Sequence, residues 1–232
     1  MAAPSATARA DQIAGIAALA DPTRRALYEH VVAQDDAVSR EAAADAVGVA
    51  VHVAKFQLDR LEADGLLVSE YRRPEGRGGP GAGRPAKHYR RAPAEFAVTL
   101  PGREYVLAGT VLADAIMRTT TGQVPLPDAL KAAAHAAGKG LVALNASRRG
   151  RPLERVRDAL APHGYEPRIV GSCLTLANCP FHALATDYTA LICGMNVDLI
   201  SGVVAALGID TPVRLNPSED RCCVTVSDRR GA

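Results

Sequence analysis

One stretch of the chain, residues 39–67, decides how the first half folds, and it reads SREAAADAVGVAVHVAKFQLDRLEADGLL. Ser39, with acidic residues following, is a typical helix N-cap, and Gly48 is a typical helix end. A second helix is predicted over Ala50–Asp64 and closes at Gly65. Its predicted buried positions are Val53, Phe56, Leu58 and Leu61. The stretch therefore predicts two short helices joined by a tight turn.

The sequence on either side completes a winged helix-turn-helix pattern. Upstream, helices are predicted over Asp11–Ala20 and Asp21–Ala33, the second with an N-cap and a proline at its first position. Downstream, strands are predicted over Leu66–Arg73 and Lys87–Arg91, separated by a loop rich in glycine, proline and arginine. In this arrangement the second helix of the motif enters the major groove of duplex DNA, and the loop reaches the adjacent backbone or minor groove.

Positive charge is concentrated in the predicted wing, although the net charge of the chain is only +2. Tyr71–Arg91 holds seven basic residues and one acid, Glu75. A local cationic strip on a neutral domain suits contact with a polyanion. Exposed polar side chains of the second helix are expected to continue this surface toward base edges and phosphates. The predicted DNA-contacting residues are His52, Lys55, Gln57 and Arg60 on the helix, and Arg77, Arg84 and Lys87 on the wing.

The second half of the chain predicts a further α+β domain. The predicted helices are Gly102–Arg118, Leu126–Ala146 and Pro152–Leu160, and the predicted strands lie within Tyr165–Leu176, Val213–Leu215 and Cys222–Val226. We therefore expect a DNA-binding domain over residues 1–95 and a cysteine-containing sensor and dimerisation domain over residues 96–232. The helix at 102–118 is a candidate dimer contact, because Tyr105, Leu112 and Ile116 are spaced to share one face.

All five cysteines lie in this second half, at positions 173, 179, 193, 222 and 223. Clustered thiols in a reducing compartment favour metal binding or redox chemistry over a disulfide framework. Thirteen residues separate Cys179 from Cys193, and 28 separate Cys193 from Cys222. These intervals do not match the cysteine spacings of zinc fingers, thioredoxins or ferredoxins, so spacing alone does not identify a metal.

A shared site for Cys179 and Cys193 requires a break in the chain between them. In one unbroken helix the two residues would lie roughly 21 Å apart, at a rise of about 1.5 Å per residue. A break is predicted around Thr186–Thr189, with Thr189 as the N-cap of a second helix. Asn178 is also a predicted N-cap, which would place Cys179 at a helix start, where the dipole favours the thiolate.

Three further residues are candidate ligands at such a site. Cys222 and Cys223 would alternate between faces if they lie on a strand, so one of the two is expected to reach the shared site. His182, one turn past Cys179, is a candidate fourth ligand. Cys173 is a weaker candidate, because a single free cysteine is commonly a buried small apolar residue.

The sequence gives little support to membrane or enzymatic functions. There is no basic-then-apolar signal pattern and no uninterrupted apolar run long enough to span a bilayer, so we expect a cytoplasmic protein with no membrane partner. We find no convincing nucleophile–base pair, P-loop or paired-carboxylate motif that would indicate an enzyme.

Two sets of motifs resemble known regulators. The segments LADPTRRAL (19–27), LDRLEADGLL (58–67) and GRPAKHY (83–89) are similar to the opening helices, the recognition-helix end and the returning wing strand of ArsR-like winged-helix regulators. The segments LPGREY (100–105), NCPFH (178–182), CGMN (193–196) and RCCV (221–224) resemble the post-wing part of SufR-type regulators. Those regulators are iron–sulfur-cluster-binding repressors of cluster-assembly operons.

The second resemblance implies a [4Fe–4S] cluster held by Cys179, Cys193 and Cys222, with Cys223, His182 or Cys173 as an additional ligand. It also implies a repressor that binds double-stranded operator DNA as a homodimer, in which the cluster fixes the spacing of the two DNA-binding domains. The residues themselves leave three alternatives open. These are a zinc or soft-metal sensor, a metal-free thiol switch through Cys222–Cys223 or Cys179–Cys193, and a small-molecule-binding domain with incidental cysteines.

Overall fold

The computed structural model describes residues 6–72, 85–122, 124–142, 149–218 and 221–228. The chain divides into two compact units, Ala6–Val98 and a second unit that begins at Thr99. Each unit contains helices and an antiparallel sheet. The predicted α+β class, with a helix-turn-helix domain first and a sheet-containing domain after it, is therefore confirmed.

The described part of the N-terminal unit contains four helices and a three-stranded sheet with strand order β1-β3-β2. The helices are α1 (Ala6–Ala18), α2 (Pro22–Val32), α3 (Arg40–Val47) and α4 (Val51–Ala63). The strands are β1 (Val38–Ser39), β2 (Leu67–Arg72) and β3 (Ala86–Arg91). Strands β2 and β3 pair in register from Leu67–Arg91 to Arg72–Ala86, so they form the base of the wing.

Local capping chemistry sets the boundaries of the helix-turn-helix. The Asp21 carboxylate accepts a hydrogen bond from the Arg24 amide at 2.8 Å, and the Ser39 hydroxyl accepts one from the Ala42 amide at 3.1 Å. Gly48 ends α3 with a φ of 72°, a left-handed conformation that glycine adopts without strain. Gly48 therefore ends α3 and leaves only three residues before α4 begins, which produces the tight turn.

The second unit places helices beside a four-stranded antiparallel sheet with strand order β4-β5-β7-β6. Its helices are α5 (Tyr105–Gly122), α6 (Leu126–Leu141), α7 (Pro152–Leu160), α8 (His182–Asp187) and α9 (Thr189–Ala206), with a short 3-10 helix at Ala161–His163. Its strands are β4 (Pro167–Val170), β5 (Cys173–Leu176), β6 (Val213–Leu215) and β7 (Val224–Ser227). Residues of α5, α6, α7, α9 and the sheet share one apolar core.

Several predicted boundaries in this unit were wrong. The strand predicted over Tyr165–Leu176 is a hairpin, because Gly171 turns the chain with a φ of 59° between β4 and β5. The strand predicted from Cys222 begins at Val224 instead. The helix predicted over Leu126–Ala146 ends at Leu141, and residues 143–148 lie outside the described residues.

Helices α6 and α9 cross at two glycines. A Cβ atom added to Gly138 would overlap the Leu199 carbonyl oxygen, and one added to Gly202 would overlap the His135 carbonyl oxygen. The two backbones are therefore in direct contact, with no room for any side chain between them. This crossing lies in the core of the second unit, since Leu199 and Val203 are fully buried there.

Among the described helices, α9 alone is long and apolar enough to cross a bilayer. Half of that segment is buried within the protein. It also carries the polar residues Asn196 and Asp198, and its buried apolar residues belong to the core of the second unit. These features are those of a core helix, and a single helix of this kind is weak evidence for a membrane protein.

Candidate nucleic-acid interface and thiol site

Helix α4 presents a mixed polar and apolar face to solvent. His52 and Lys55 are exposed, one turn apart, so they share that face. The residue before the helix, Ala50, provides no side-chain cap, which leaves the first amides of α4 without a capping side chain. A helix start with free amides and nearby basic side chains is suited to a phosphate group.

The prediction that Phe56 is buried was wrong, because this side chain is 69% exposed. The buried stripe of α4 is formed by Ala54, Leu58 and Leu61. Phe56 lies two residues from Leu58, which places it about 200° around the helix, on the outer face. It therefore lies on the same face as His52 and next to Lys55. This apolar member of the outer face was missed in the sequence because large apolar residues were assigned to the core.

The other two predicted DNA-contacting residues of α4 are less available to DNA than expected. Gln57 is half-buried, and its side-chain oxygen has no hydrogen-bond partner. Arg60 is exposed, and its guanidinium pairs with Asp64 at 3.1 Å. Their contacts with DNA stay predictions. Arg77 and Arg84, predicted on the wing, lie outside the described residues.

Lys87 makes ion pairs within the protein that the sequence did not indicate. Its side chain is only 14% exposed, and its ammonium pairs with Asp59 at 2.7 Å and with Glu62. Tyr89, fully buried, donates its hydroxyl to the same Asp59 carboxylate, to which Arg40 also pairs at 3.4 Å. The contact between Lys87 and DNA phosphate stays a prediction, but these ion pairs favour a different role. Lys87 fastens strand β3 to helix α4.

The charges of this cluster are reflected in shifted pKa values. Burial by itself would lower the pKa of Lys87, but hydrogen bonds to Asp59 and Glu62 raise it. Burial would raise the pKa of Asp59, but hydrogen bonds from Lys87 and Tyr89 lower it. The contribution of Asp59 to stability is thus present above its unfolded pKa, about 3.9, and is lost as the pH falls through the folded value.

Substitution Lys87→Met is expected to destabilise the N-terminal unit by about 1–3 kcal/mol, because it removes the ammonium shared by two partly buried carboxylates and leaves Asp59 with only the longer ion pair to Arg40. Chemical denaturation followed by circular dichroism measures this loss. The matched control is Arg90→Met on the same strand, whose side chain is 60% exposed and pairs loosely with Glu70 at 3.7 Å, so we expect little change. A Lys87→Met protein of unchanged stability but weakened DNA binding would contradict the structural role and restore the phosphate contact.

Four of the five cysteines converge in the second unit from three chain segments. Cys179 lies in the loop between β5 and α8, Cys193 lies in α9, and Cys222 and Cys223 precede β7. The Cys179 thiol lies close enough to Cys222, and the Cys193 thiol close enough to Cys223, for each partner to shift its pKa. The predicted break between the helices is present, since α8 ends at Asp187 and α9 begins at Thr189. That break brings the segments of Cys179 and Cys193 together.

The expectation that one of Cys222 and Cys223 reaches the shared site stays a prediction, but the strand on which it was based begins later. Strand β7 begins after both residues, so the strict alternation of a strand does not apply to them. Cys222 contacts Cys179, while Cys223 contacts Cys193. Each of the two residues therefore lies near a thiol from another chain segment.

The two pairs differ in how readily they ionise. The hydrogen bond from the Cys222 thiol lowers the pKa of Cys179 to about 7, with help from the Phe181 amide and the Arg103 charge. The same hydrogen bond, together with burial, raises the pKa of Cys222. Burial and the neighbouring Cys223 raise the pKa of Cys193 to about 11. Among Cys179, Cys193 and Cys222, Cys179 is therefore the thiol most easily converted to a thiolate.

Cys222 is oriented by a buried hydrogen-bond chain. The Tyr165 hydroxyl donates to the Asn196 side-chain oxygen at 2.7 Å, and the Asn196 amide donates to the Cys222 sulfur at 3.4 Å. Tyr165 also packs edge-on against the Phe181 ring, with centroids 6.3 Å apart. The sulfur of Cys222 is thus bonded by Asn196 of α9, which Tyr165 in the loop before β4 holds in turn.

The loop of Cys179 is held by Asn178 and Arg103. The predicted N-cap role of Asn178 was wrong, because α8 begins four residues later. The Asn178 amide instead donates to the carbonyl oxygens of Gly102, at 2.9 Å, and Gly164, and its oxygen accepts a hydrogen bond from Arg103. Arg103 also donates to the Cys179 carbonyl oxygen at 3.2 Å. Thr189 is not a cap either, since its hydroxyl donates to the Ala185 carbonyl oxygen.

The side chains of the remaining candidate ligands have other surroundings, although the His182 amide donates to the Cys179 carbonyl oxygen at 3.1 Å. His182 is exposed at the start of α8. Cys173 lies on β5, where its sulfur accepts a weak hydrogen bond from Ser227 at 3.9 Å. Within the described ranges, no three His, Cys, Asp or Glu side chains are already arranged to hold a metal ion. The thiols thus offer donors suited to an iron–sulfur cluster, but in the hydrogen-bonded arrangement they do not form an open ligand cage.

Comparison with known proteins agrees with the geometry of the first unit. Residues 19–70 match a family described as a helix-turn-helix domain. The N-terminal unit carries a helix-turn-helix domain. This match spans α2 to β2 and supports a DNA-binding transcription regulator. No curated protein and no solved structure gives a significant match to the chain.

Proposed function

We propose that this DNA-binding regulator is a cytoplasmic repressor that senses iron–sulfur cluster or redox status through its second unit. The observation that carries the proposal is the convergence of Cys179, Cys193, Cys222 and Cys223 from three chain segments in a chain with a helix-turn-helix domain. Thiolates are the usual protein ligands of [4Fe–4S] clusters. Such a cluster would supply a centre that oxidants or nitric oxide can destroy.

Cys179, Cys193 and Cys222 are the proposed ligands, and Cys223 is a better fourth ligand than His182 or Cys173. Cys223 already contacts Cys193, whereas His182 is exposed and Cys173 interacts with Ser227 on the sheet. Ligand binding requires the hydrogen-bonded thiols to separate and lose their protons. Cys179 loses its proton most readily, because its pKa is lowered to about 7.

The proposed homodimer uses the exposed face of α5. The residues predicted to share one face of α5 do not all lie on its exposed face, since Ile116 is exposed while Leu112 is half-buried against the core. Val106 and Met117, which are 67% and 58% exposed, extend the apolar surface beside Ile116 along three turns. A second copy covering this face would hold two DNA-binding units at a fixed separation, as two half-sites about one helical turn apart require.

The first test is an ultraviolet–visible spectrum of the anaerobically purified full-length protein, with iron and acid-labile sulfide assayed on the same sample. We expect a broad brown absorbance and matched iron and sulfide, lost in Cys179→Ser and Cys193→Ser and retained in Cys173→Ser. A protein that lacks both iron and acid-labile sulfide after anaerobic reconstitution would contradict the cluster proposal. Zinc bound by the same thiols would give metal without colour or sulfide.

A second candidate function is a metal-free dithiol switch, favoured by the contact between Cys179 and Cys222. With a peroxide as oxidant, the Cys179 thiolate attacks one peroxide oxygen and becomes a sulfenic acid, releasing hydroxide or alkoxide. The Cys222 thiol then attacks that sulfur, forms a disulfide and releases water. This pairing differs from both pairings expected from the sequence. Peptide mapping after peroxide treatment of metal-free protein should find Cys179 linked to Cys222, and any other linkage would contradict it.

A further inference from the structure

Phe56 is a large apolar side chain exposed on the surface of the helix-turn-helix domain. It lies in the middle of α4 and is 69% exposed, although the core of the same unit buries comparable apolar residues completely. The buried stripe of α4 is complete without it. Its ring therefore contributes little to folding, and its exposed position is better explained by a role in binding.

The neighbours of Phe56 indicate a nucleic-acid partner. His52 precedes it by one turn, Lys55 is adjacent, and all three are exposed on the outer face of the second helix of the motif. The face thus combines an aromatic ring with groups that bind phosphate and base edges. In the major groove the apolar feature of the base edges is the C5-methyl group of thymine, which phenylalanine contacts in direct readout.

We propose that Phe56 reads thymine in the operator by packing its ring on the C5-methyl group. The inference rests on the DNA-binding function of α4 and adds a sequence preference to it. Lys55 supplies sequence-independent affinity, while Phe56 supplies discrimination between thymine and the other bases. The site does not depend on whether a cluster is present in the second unit.

The test removes only the methyl group. The full-length protein first enriches duplexes from a random-sequence library, and each thymine of the enriched duplex is then replaced by deoxyuridine, which keeps the O4 acceptor. At the contacted thymine we expect affinity to fall about fourfold per half-site, the value of one buried methyl-sized group. In Phe56→Ala the same replacement should have no effect, because the methyl group has lost its partner.

Two controls separate this effect from general weakening. Lys55→Ala should lower affinity for both duplexes equally and reduce the salt dependence of binding, while sensitivity to the methyl group persists. Ile13→Ala, at another exposed apolar position of the unit, should leave methyl sensitivity unchanged. Since Phe56 is exposed, its substitution should not affect folding, which circular dichroism verifies.

The outcomes are distinguishable. Enrichment of defined duplexes whose binding is insensitive to every deoxyuridine replacement would overturn the role of Phe56 and leave DNA binding intact. Equal methyl sensitivity in wild type and Phe56→Ala would overturn it as well. Failure to enrich any duplex with both the reconstituted and the metal-free protein would overturn the DNA-binding function on which the inference rests.

Discussion

Substitution Gly202→Ala is expected to destabilise the second unit by about 3–5 kcal/mol, although alanine is ordinarily favoured over glycine in a helix. The reason is steric, since the new Cβ would overlap the His135 carbonyl oxygen of α6. A backbone atom cannot move aside as a side chain can, so the two helices must separate. Separation would open the packing around Leu199 and Val203, which are fully buried.

Gly140→Ala is the matched control for this prediction. Gly140 belongs to the same helix as Gly138, but a Cβ at that position meets nothing within 4 Å. We expect unchanged or slightly increased stability, by up to about 1 kcal/mol. Hydrogen–deuterium exchange of the α6 and α9 peptides reports the effect locally, and chemical denaturation reports its size. Unaltered exchange in Gly202→Ala would mean that the helices do not cross in contact.

Substitution Asn178→Ala is expected to cost about 2–4 kcal/mol and to reduce iron incorporation during reconstitution. Asn178 is 8% exposed, and its side chain satisfies two backbone carbonyl groups and the Arg103 guanidinium together. Truncation leaves all three without that partner, which costs more than the loss of one exposed hydrogen bond. Because Arg103 also holds the Cys179 carbonyl oxygen, the loop of the most acidic thiol should loosen as well.

The informative comparison is Asn178→Asp. A carboxylate retains the acceptor for Arg103 but sets an oxygen against the carbonyl oxygens of Gly102 and Gly164, so we expect at least as large a loss of stability as in the alanine variant but a smaller loss of iron content. Iron content is measured per folded protein, after removal of aggregates, so that unfolding is not mistaken for ligand loss. Normal iron content in a destabilised Asn178→Ala protein would show that this loop is not coupled to the thiols.

The sequence predicted the helix-turn-helix well because its signals are local. Ser39 caps and Gly48 terminates α3 through contacts within a few residues, and these contacts are visible in the order of the amino acids. Phe56 was misplaced because apolar residues are often, but not always, buried, and only the stripe of Ala54, Leu58 and Leu61 shows which face is inward.

The second unit was less predictable because its decisive contacts are distant in the chain. Asn178 was given a local capping role, but its partners are 14 and 76 residues away. The convergence of Cys193 with Cys223 depends on where β7 begins, and the sequence placed that start two residues too early. Cysteine spacing alone could not show either pairing of the thiols.

The bridge from Lys87 to Asp59 and Glu62 has a consequence for how operator preference can change. These ion pairs use Asp59 and Glu62, and Leu58 and Leu61 fill the core-facing stripe of α4, so these ion pairs and core contacts are made away from its outer face. His52, Lys55 and Phe56 carry none of them. Mutations at those three positions can therefore accumulate without a loss of folding, and a new regulon can be acquired by exchanging a few outward side chains on an unchanged scaffold.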